Sequence, residues 1–251
     1  MIKYQKGIQV FTATTAQNLM DMAGKALETD FTKISRVISR RKINQILHFT
    51  HISNLESILK IGLSSKAFLN SNQIEFFDTD KQRLDGLLNG FSCSLTIPNL
   101  FMLKMKESSI GKEFVVIEIS ANALLTSKFV AFPGNAATST INNDAKDNPS
   151  QYIGAAGLRN LFLNENERRL HSRADSEATD LQSEIIFFDQ IFPDRIRAIH
   201  TPSYLNAGNL HKLRIILSSS PEIEFCNTCN HGYFANNYHK SPSFNLDWKT
   251  N

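Results

Sequence analysis

The chain has 251 residues, of which 41% are hydrophobic and 20% charged, and its formal net charge is +3. This composition is ordinary for a soluble globular protein, and the charge is too small to indicate nucleic-acid binding by itself. No apolar run approaches the roughly 20 residues that a membrane span needs, and the N-terminus lacks the apolar core of a secretory signal. Three cysteines, an odd number, do not make a disulfide framework, so we expect a reduced, cytoplasmic protein.

The N-terminal part of the chain predicts two helices. One is capped near Thr14 and runs to about Leu27, and the next spans residues 31–41. After these helices the sequence changes from a helical pattern to the alternating polarity of a strand. We therefore divide the chain into an N-terminal helical extension, residues 1–44, and a second domain, residues 45–251.

The second domain opens with a predicted strand. Residues 46–50, Ile-Leu-His-Phe-Thr, alternate in polarity, and a helix that ends at Gly62 follows. Alternation places His48 and Thr50 on one face of the strand, where two polar side chains can line a ligand cleft. From these residues alone, a histidine that only bonds backbone groups is an equally good interpretation.

Further strands and helices follow without regular spacing. The predicted strands cover residues 91–95, 114–119, 183–188, 196–200 and 223–225, and helices begin near residues 99 and 208. The long polar stretch 133–183 must contain short helices, because a bare loop of that length is improbable in a compact domain. Strands interspersed in this way favour an α+β fold with mainly antiparallel sheets over a doubly wound parallel sheet.

Two charged residues are candidates for chemistry. Glu184 opens the hydrophobic strand Ile-Ile-Phe-Phe, and a partly desolvated carboxylate at a sheet edge suits general-base work. Its simpler interpretation is an exposed acid at a strand end. Arg83 offers a rigid fork for a pyrophosphate, although the segment around it also fits a surface turn with local ion pairs.

Basic residues cluster in three places. The clusters are Arg36-Arg40-Arg41-Lys42, Lys104-Lys106 and Arg168-Arg169-Arg173. Each cluster fits a solvated surface or a phosphate backbone equally well.

The C-terminal cysteines raise the question of a metal. Cys226 and Cys229 have the CxxC spacing that zinc sites use. A second well-spaced pair is missing, because His231 is too close and His239 too far along the chain. We therefore expect no bound metal. The sequence also lacks the dinucleotide-binding, P-loop, hydrolase-elbow and zinc-deaminase motifs.

Several short motifs occur in a recognisable order. They are His48-Phe49-Thr50 with Asn54-Leu55 and Gly62-Leu63, then Arg83 and Asp85, then Phe91–Leu95 with Ile97–Met102, and last Gln182-Ser183-Glu184. Together they resemble the DarT family of DNA ADP-ribosyltransferase toxins, in which the last motif is a catalytic Q-x-E. The resemblance covers roughly residues 46–200.

The resemblance implies a fold and an NAD site. The fold would be ADP-ribosyltransferase-like, with two mainly antiparallel sheets around an NAD cleft and peripheral helices. Glu184 and Arg83 would be catalytic, with Arg83 neutralising the pyrophosphate. His48 would hold a ribose side of NAD and Thr50 the nicotinamide end. The implied NAD-binding residues are His48, Phe49, Thr50, Asn54, Gly62 and Arg83.

The resemblance also implies a substrate and a partner. The acceptor would be a base in single-stranded DNA, either thymidine or guanine, and Arg168, Arg169 and Arg173 would contact its backbone. A macrodomain antitoxin of the DarG type would reverse the modification. A catalytically silent NAD- or nucleic-acid-binding module and a protein-modifying transferase stay open as alternatives.

Overall fold

A computed structural model describes residues 11–80, 85–227 and 233–234, and the structural statements below concern these residues. The helices are α1 (Ala13–Thr29), α2 (Phe31–Arg41), α3 (Leu55–Ile61), α4 (Lys66–Ser71), α5 (Leu100–Ile110), α6 (Ala123–Thr126), α7 (Ser139–Asp147), α8 (Gly154–Asn160), α9 (Glu165–Leu170) and α10 (Ala207–Leu217). The strands are β1 (Gln45–His51), β2 (Phe91–Leu95), β3 (Phe114–Ser120), β4 (Phe129–Phe132), β5 (Glu184–Phe187), β6 (Ile196–Thr201) and β7 (Glu224–Asn227).

The strands join into one sheet of seven, in the order β4-β5-β2-β1-β3-β6-β7. Neighbouring strands are antiparallel except the edge pair β6 and β7, which is parallel. This confirms the α+β class with mainly antiparallel strands. Two halves can still be distinguished, because β1 and β2 pair through only two residue pairs, Ile46 with Leu95 and Leu47 with Ser94.

Beyond Leu47 the two central strands part. From there β1 continues along β3 as far as His51, while the other end of β2 follows β5 to Phe91. The sheet is therefore split between the C-terminal end of β1 and the N-terminal end of β2. Backbone and side chains on both sides of this split face a common space.

Apolar strands and helices close the core around the sheet. Strand β3 is buried on both faces over Val115, Val116 and Ile117, so its apolar run does not alternate in polarity. The N-terminal helices share this core. Ile34 of α2 lies in the main cluster, and Leu19 of α1 lies in a second cluster with residues of β4. The domain boundary at residue 44 stays a prediction.

The polar stretch 133–183 contains short helices, as expected, namely α7, α8 and α9. Strand β4 was not predicted. Its four residues form an apolar run too short to show a period, and pairing with β5 makes it a strand. No described helix combines the length and apolarity that crossing a membrane requires.

Candidate functional site

A cavity of about 210 Å³ lies at the split between β1 and β2. Its lining includes every predicted catalytic or NAD-binding residue that the structure describes. These are His48, Phe49, Thr50, Asn54, Gly62 and Glu184. Arg83 lies outside the described residues, and its predicted role stays a prediction.

His48 is held at the split by the opposite strand. Its Nδ1 lies 2.8 Å from the carbonyl oxygen of Ser92 in β2. A carbonyl can only accept, so Nδ1 carries the hydrogen in this contact, and in the neutral ring Nε2 is then an acceptor. The ring also meets Phe91 edge-on, at 6.1 Å between centroids. The imidazole therefore has a fixed orientation on the cavity wall.

Asn54 connects β1 to residues 76–80, which border the cavity and which we call the rim. Its Nδ2 donates to Thr50 Oγ1 and to the carbonyl oxygen of Phe77, both at 3.0 Å. Its Oδ1 accepts from the amide of Phe77 at 2.6 Å. Thr50 is 5% exposed, so one side chain connects a buried hydroxyl of β1 to the rim. The same rim is held by His51, whose ring stacks on Phe77 at 4.2 Å.

Gly62 allows a close backbone approach at the end of α3. Its φ is +92°, and a β-carbon there would overlap the carbonyl oxygen of Ile191. The neighbouring Leu63 forms an isolated β-bridge with Ile191. Gly62 therefore shapes the wall through its backbone, because it has no side chain to offer a ligand.

Two lysines hold the rim from inside the cavity lining. Lys66 lies 2.5 Å from the Asp78 carboxylate and donates to the carbonyl oxygen of Asp80. Lys106 donates to the carbonyl oxygen of Thr79. Both ammonium groups lie beside the space where a ligand would enter. Lys66 was not predicted, since an isolated lysine in a sequence has no distinguishing signal. Lys106 was noted only as part of the basic cluster Lys104-Lys106, and not as a cavity residue.

Two cavity-lining side chains have polar atoms without a hydrogen-bond partner among the described residues. They are Ser64 Oγ and Asn99 Nδ2, both buried. Asn99 is 4% exposed, and its Oδ1 caps α5 by accepting from the Met102 amide. Buried polar atoms are nearly always bonded, so these two are ready to bond a polar ligand. Neither was predicted as a site residue, although Asn99 lies within the Ile97–Met102 motif and at a predicted helix start.

Glu184 is the first residue of β5 and lies opposite Phe132 of β4. A turn that begins at Asp180 precedes it, in which the Asp180 carboxylate accepts from the Gln182 amide at 2.8 Å. Burial raises the pKa of Asp180. Glu184 itself is half-buried and lines the cavity. The carboxylate is thus positioned by regular sheet pairing on one side and a tight turn on the other.

Cys93 also lines the cavity, in the middle of β2. It is 3% exposed, and burial raises the pKa of its thiol. Because the thiolate is the reactive form, this cysteine is inert packing rather than a nucleophile.

The three arginines predicted to contact DNA have different environments. Arg168 is 3% exposed, and its guanidinium donates to the carbonyl oxygens of Glu177 at 2.5 Å and Ala174 at 2.8 Å. These bonds hold the turn at 174–177, so the geometry assigns Arg168 to that turn instead of a phosphate. Arg169 is exposed and Arg173 half-buried, and their predicted DNA contacts stay predictions.

The described residues contain no group of three or more side chains suited to holding a metal. Cys226 is a free, half-buried thiol in β7, while Cys229 and the nearby histidines His231 and His239 lie outside the described residues. The absence of zinc stays a prediction.

A comparison with protein families shows which family the chain matches. A family model described as "ssDNA thymidine ADP-ribosyltransferase, DarT" matches residues 47–226. The chain belongs to the DarT family. The matched range contains the whole cavity lining and begins after α2. No protein with a curated function matches the chain by sequence.

Solved DarT structures are similar at low identity. Thermosipho africanus DarTG in complex with ADP-ribose is 16% identical over 76% of this chain and 51% of its own, with a TM-score of 0.48. Thermus sp. 2.9 DarT in complex with NAD+ is 17% identical over 73% of this chain and 94% of its own, with a TM-score of 0.44. The same DarT with ADP-ribosylated ssDNA is 15% identical over 74% and 94%, with a TM-score of 0.46. The chain thus spans about half the length of the DarTG chain.

Proposed function

We propose that this chain transfers ADP-ribose from NAD to a thymidine base in single-stranded DNA. The observation that supports this proposal most directly is the cavity at the β1–β2 split, which is lined by His48, Thr50 and Asn54 from one segment of the sequence and by Glu184 from a distant one. These residues lie within the range that matches the DarT family. The description of that family supports thymidine over guanine as the acceptor.

The residues of the cavity suit NAD as a substrate. Ser64 Oγ and Asn99 Nδ2 are buried and without partners among the described residues, as expected of groups that bond a polar ligand. Lys66 and Lys106 also line the cavity, where they lie beside the carboxylates of Asp78 and Asp80, and a pyrophosphate would compete with these acids for the two ammonium groups. The cavity of about 210 Å³ is small, since pockets for drug-sized ligands typically measure roughly 300–1,000 Å³. The cavity would therefore hold only part of a dinucleotide, and we infer that the rest of NAD lies along the rim at 76–80.

The reaction breaks the bond between nicotinamide and ribose. Nicotinamide leaves with the bonding electron pair, positive charge develops on the sugar, and a base nitrogen forms the new bond while losing its proton. Glu184 serves this step in two ways. Its carboxylate stabilises the developing positive charge, and it accepts the proton of the attacking base.

The other residues bind and orient. His48 presents a fixed imidazole to a ribose hydroxyl, because the Ser92 carbonyl determines its tautomer. Thr50 and Asn54 hold the rim segment against β1. A base in a duplex is stacked and paired, so reaching it costs a few kcal/mol that a single strand does not impose. We therefore expect single-stranded DNA to be strongly preferred over duplex.

Such a modification blocks the template strand, so we propose that the protein is a toxin that poisons replication. The family resemblance supports a partner antitoxin of the DarG type, with a macrodomain that removes the ADP-ribose. A silent binding module and a protein-modifying transferase are the competing functions, and one assay separates them.

The test uses Glu184→Gln, which removes the charge but keeps the shape of the side chain. The protein is incubated with NAD and single-stranded oligonucleotides that differ in which base they contain, and products are identified by mass spectrometry. Wild type should add ADP-ribose to the thymidine-containing strands. The variant should lose at least about 10²-fold in rate with little change in NAD affinity, because its charge acts mainly in the transition state.

Glu224→Gln is the matched control, since Glu224 is also the first residue of a strand but lies at the far edge of the sheet. It should react like wild type. Modification of guanine alone would correct the acceptor, and labelling of protein but not DNA would favour the protein-modifying alternative. No transfer by wild type to any acceptor would favour a silent module.

A further inference from the structure

A second, larger cavity lies on another face of the molecule, between α2 and the segment that follows α8. We call it the arginine groove. Its volume is about 620 Å³. It is lined by Lys33, Arg36, Val37, Arg40, Arg41, Arg159, Phe162, Leu163, Asn164 and Glu165. It shares no lining residue with the cavity at the sheet split.

The charge of the groove is strongly unbalanced. Five of its lining residues are cations, and Glu165 is the single acid. Glu165 pairs with Arg41 at 3.0 Å, and Lys33 pairs with Asp30 at 2.7 Å.

The remaining cations, Arg36, Arg40 and Arg159, make no ion pair within the described part of the chain. Arg36 and Arg40 stand four residues apart on α2, where like charges repel each other. An anion in the groove would relieve that repulsion.

The walls of the groove are fixed by packing. Phe162 is buried, and the Arg41 guanidinium lies 4.6 Å from the centre of its ring. Behind the groove, Ile34 of α2 and Leu158 of α8 are in the same hydrophobic cluster. Leu163 is 59% exposed within the groove, so an apolar surface lies among the arginines. A positively charged groove can follow the phosphate backbone of a single strand.

The groove is also connected to the catalytic strand. Thr179 donates from its amide to the Leu161 carbonyl oxygen at 2.8 Å, and from its hydroxyl to the Leu163 carbonyl oxygen at 2.6 Å. The chain from Thr179 to Glu184 can span at most about 18 Å, since each residue adds no more than about 3.6 Å. A strand stacked at about 3.4 Å per nucleotide covers that distance with about five nucleotides.

We propose that the arginine groove binds the sugar–phosphate backbone of the same DNA strand whose base enters the cavity. This inference rests on the proposed function. Arg36, Arg40 and Arg159 contact phosphates several nucleotides away from the modified base. Half of the lining residues lie on α2, outside the range matched by the family model, so Arg36 and Arg40 are DNA contacts added by this chain's N-terminal helices.

The test compares two triple variants with equal loss of charge. One replaces Arg36, Arg40 and Arg159 with Gln. The control replaces Lys25, Lys212 and Arg214 with Gln. These three exposed cations lie outside the groove and make no ion pair among the described residues. Fluorescence anisotropy measures the affinity of each protein for a thymidine-containing 16-mer at several salt concentrations, without NAD. Thermal unfolding confirms that each variant is folded.

The groove variant should bind the 16-mer at least about tenfold more weakly at low salt, and its salt slope should fall by about 2, since each phosphate contact contributes about 0.7. The control should retain most of the wild-type slope. The difference between the two variants should shrink as the strand is shortened to three nucleotides.

Equal slopes and affinities for groove variant and control would overturn the proposal. So would a groove variant that binds DNA normally but loses the wild-type affinity for a poly-aspartate peptide, because the groove would then recognise an acidic protein surface. Binding is measured without turnover, so a failure of the ADP-ribosyltransferase proposal is detected separately, by mass spectrometry of the products.

Discussion

Asn54→Ala tests whether the rim of the cavity controls NAD binding. The substitution removes the bond to Thr50 Oγ1 and both bonds to the backbone of Phe77. It leaves α3 intact, because the Asn54 side chain does not cap that helix. The rim would then be held on this side mainly by the stacking of His51 on Phe77.

The magnitude follows from the bonds lost. A hydrogen bond contributes about 0.5–1.5 kcal/mol net, and the two bonds to Phe77 are exposed to solvent, which places them at the low end of that range. Three bonds then amount to about 2 kcal/mol. If NAD binds only to the ordered rim, its Kd rises roughly 30-fold, at about 1.4 kcal/mol per tenfold. The value of kcat should change less, because Glu184 is untouched.

Two assays check this prediction. Calorimetry measures NAD affinity, and hydrogen exchange measures protection of residues 72–80. Asn70→Ala is the matched control, since Asn70 is exposed on α4 and its side chain is not hydrogen-bonded to the rim. Unchanged affinity together with unchanged protection in Asn54→Ala would refute the role of this residue as the anchor of the rim. Loss of protection with normal affinity would refute the link between rim order and NAD binding.

Three further predictions concern stability and pH. Gly62→Ala should lower the free energy of unfolding by about 3 kcal/mol, from left-handed backbone strain plus overlap with the Ile191 carbonyl. Gly111 is the control, because it has positive φ but open space around it, so in urea melts Gly111→Ala should lose only the stability that backbone strain costs. Equal losses in the two variants would contradict the overlap. Arg168→Ala should lower the thermal midpoint by about 5–10 °C, because the lost hydrogen bonds to carbonyl groups contribute roughly 2–3 kcal/mol. The salt slope of DNA binding should stay unchanged in this variant. A reduced slope would show that Arg168 contacts a phosphate after all. Burial lowers the pKa of His51 below its usual 6.5, against the opposing effect of a nearby carboxylate. The contribution of His51 to stability is therefore complete above about pH 6.5 and is lost as pH falls toward the folded pKa. Urea melts from pH 7.5 to 5.5 should show a shallower decline in stability for His51→Gln than for wild type, and parallel curves would exclude His51 as a source of the pH dependence.

Local sequence patterns determine much of this fold. The helix at 31–41 and the strand at 91–95 have the bounds predicted from periodicity, because their apolar residues recur with the spacing of a helix face and of a strand face, respectively. The order of short motifs from His48 to Glu184 was enough to indicate the family. These features depend on residues near each other in the chain.

The tertiary structure decided the features that depend on distant partners. Strand β4 forms because β5 pairs with it, and the cavity exists because β1 and β2 stop pairing after Leu47. No local sequence pattern indicates either the pairing of β4 with β5 or the point at which β1 and β2 stop pairing. Arg168 looks like a surface cation in sequence, yet the 174–177 turn folds over it and takes its hydrogen bonds. The sequence by itself therefore determined which residues are candidates, while long-range pairing and burial decided which of them share a site, since both depend on contacts between segments far apart in the chain.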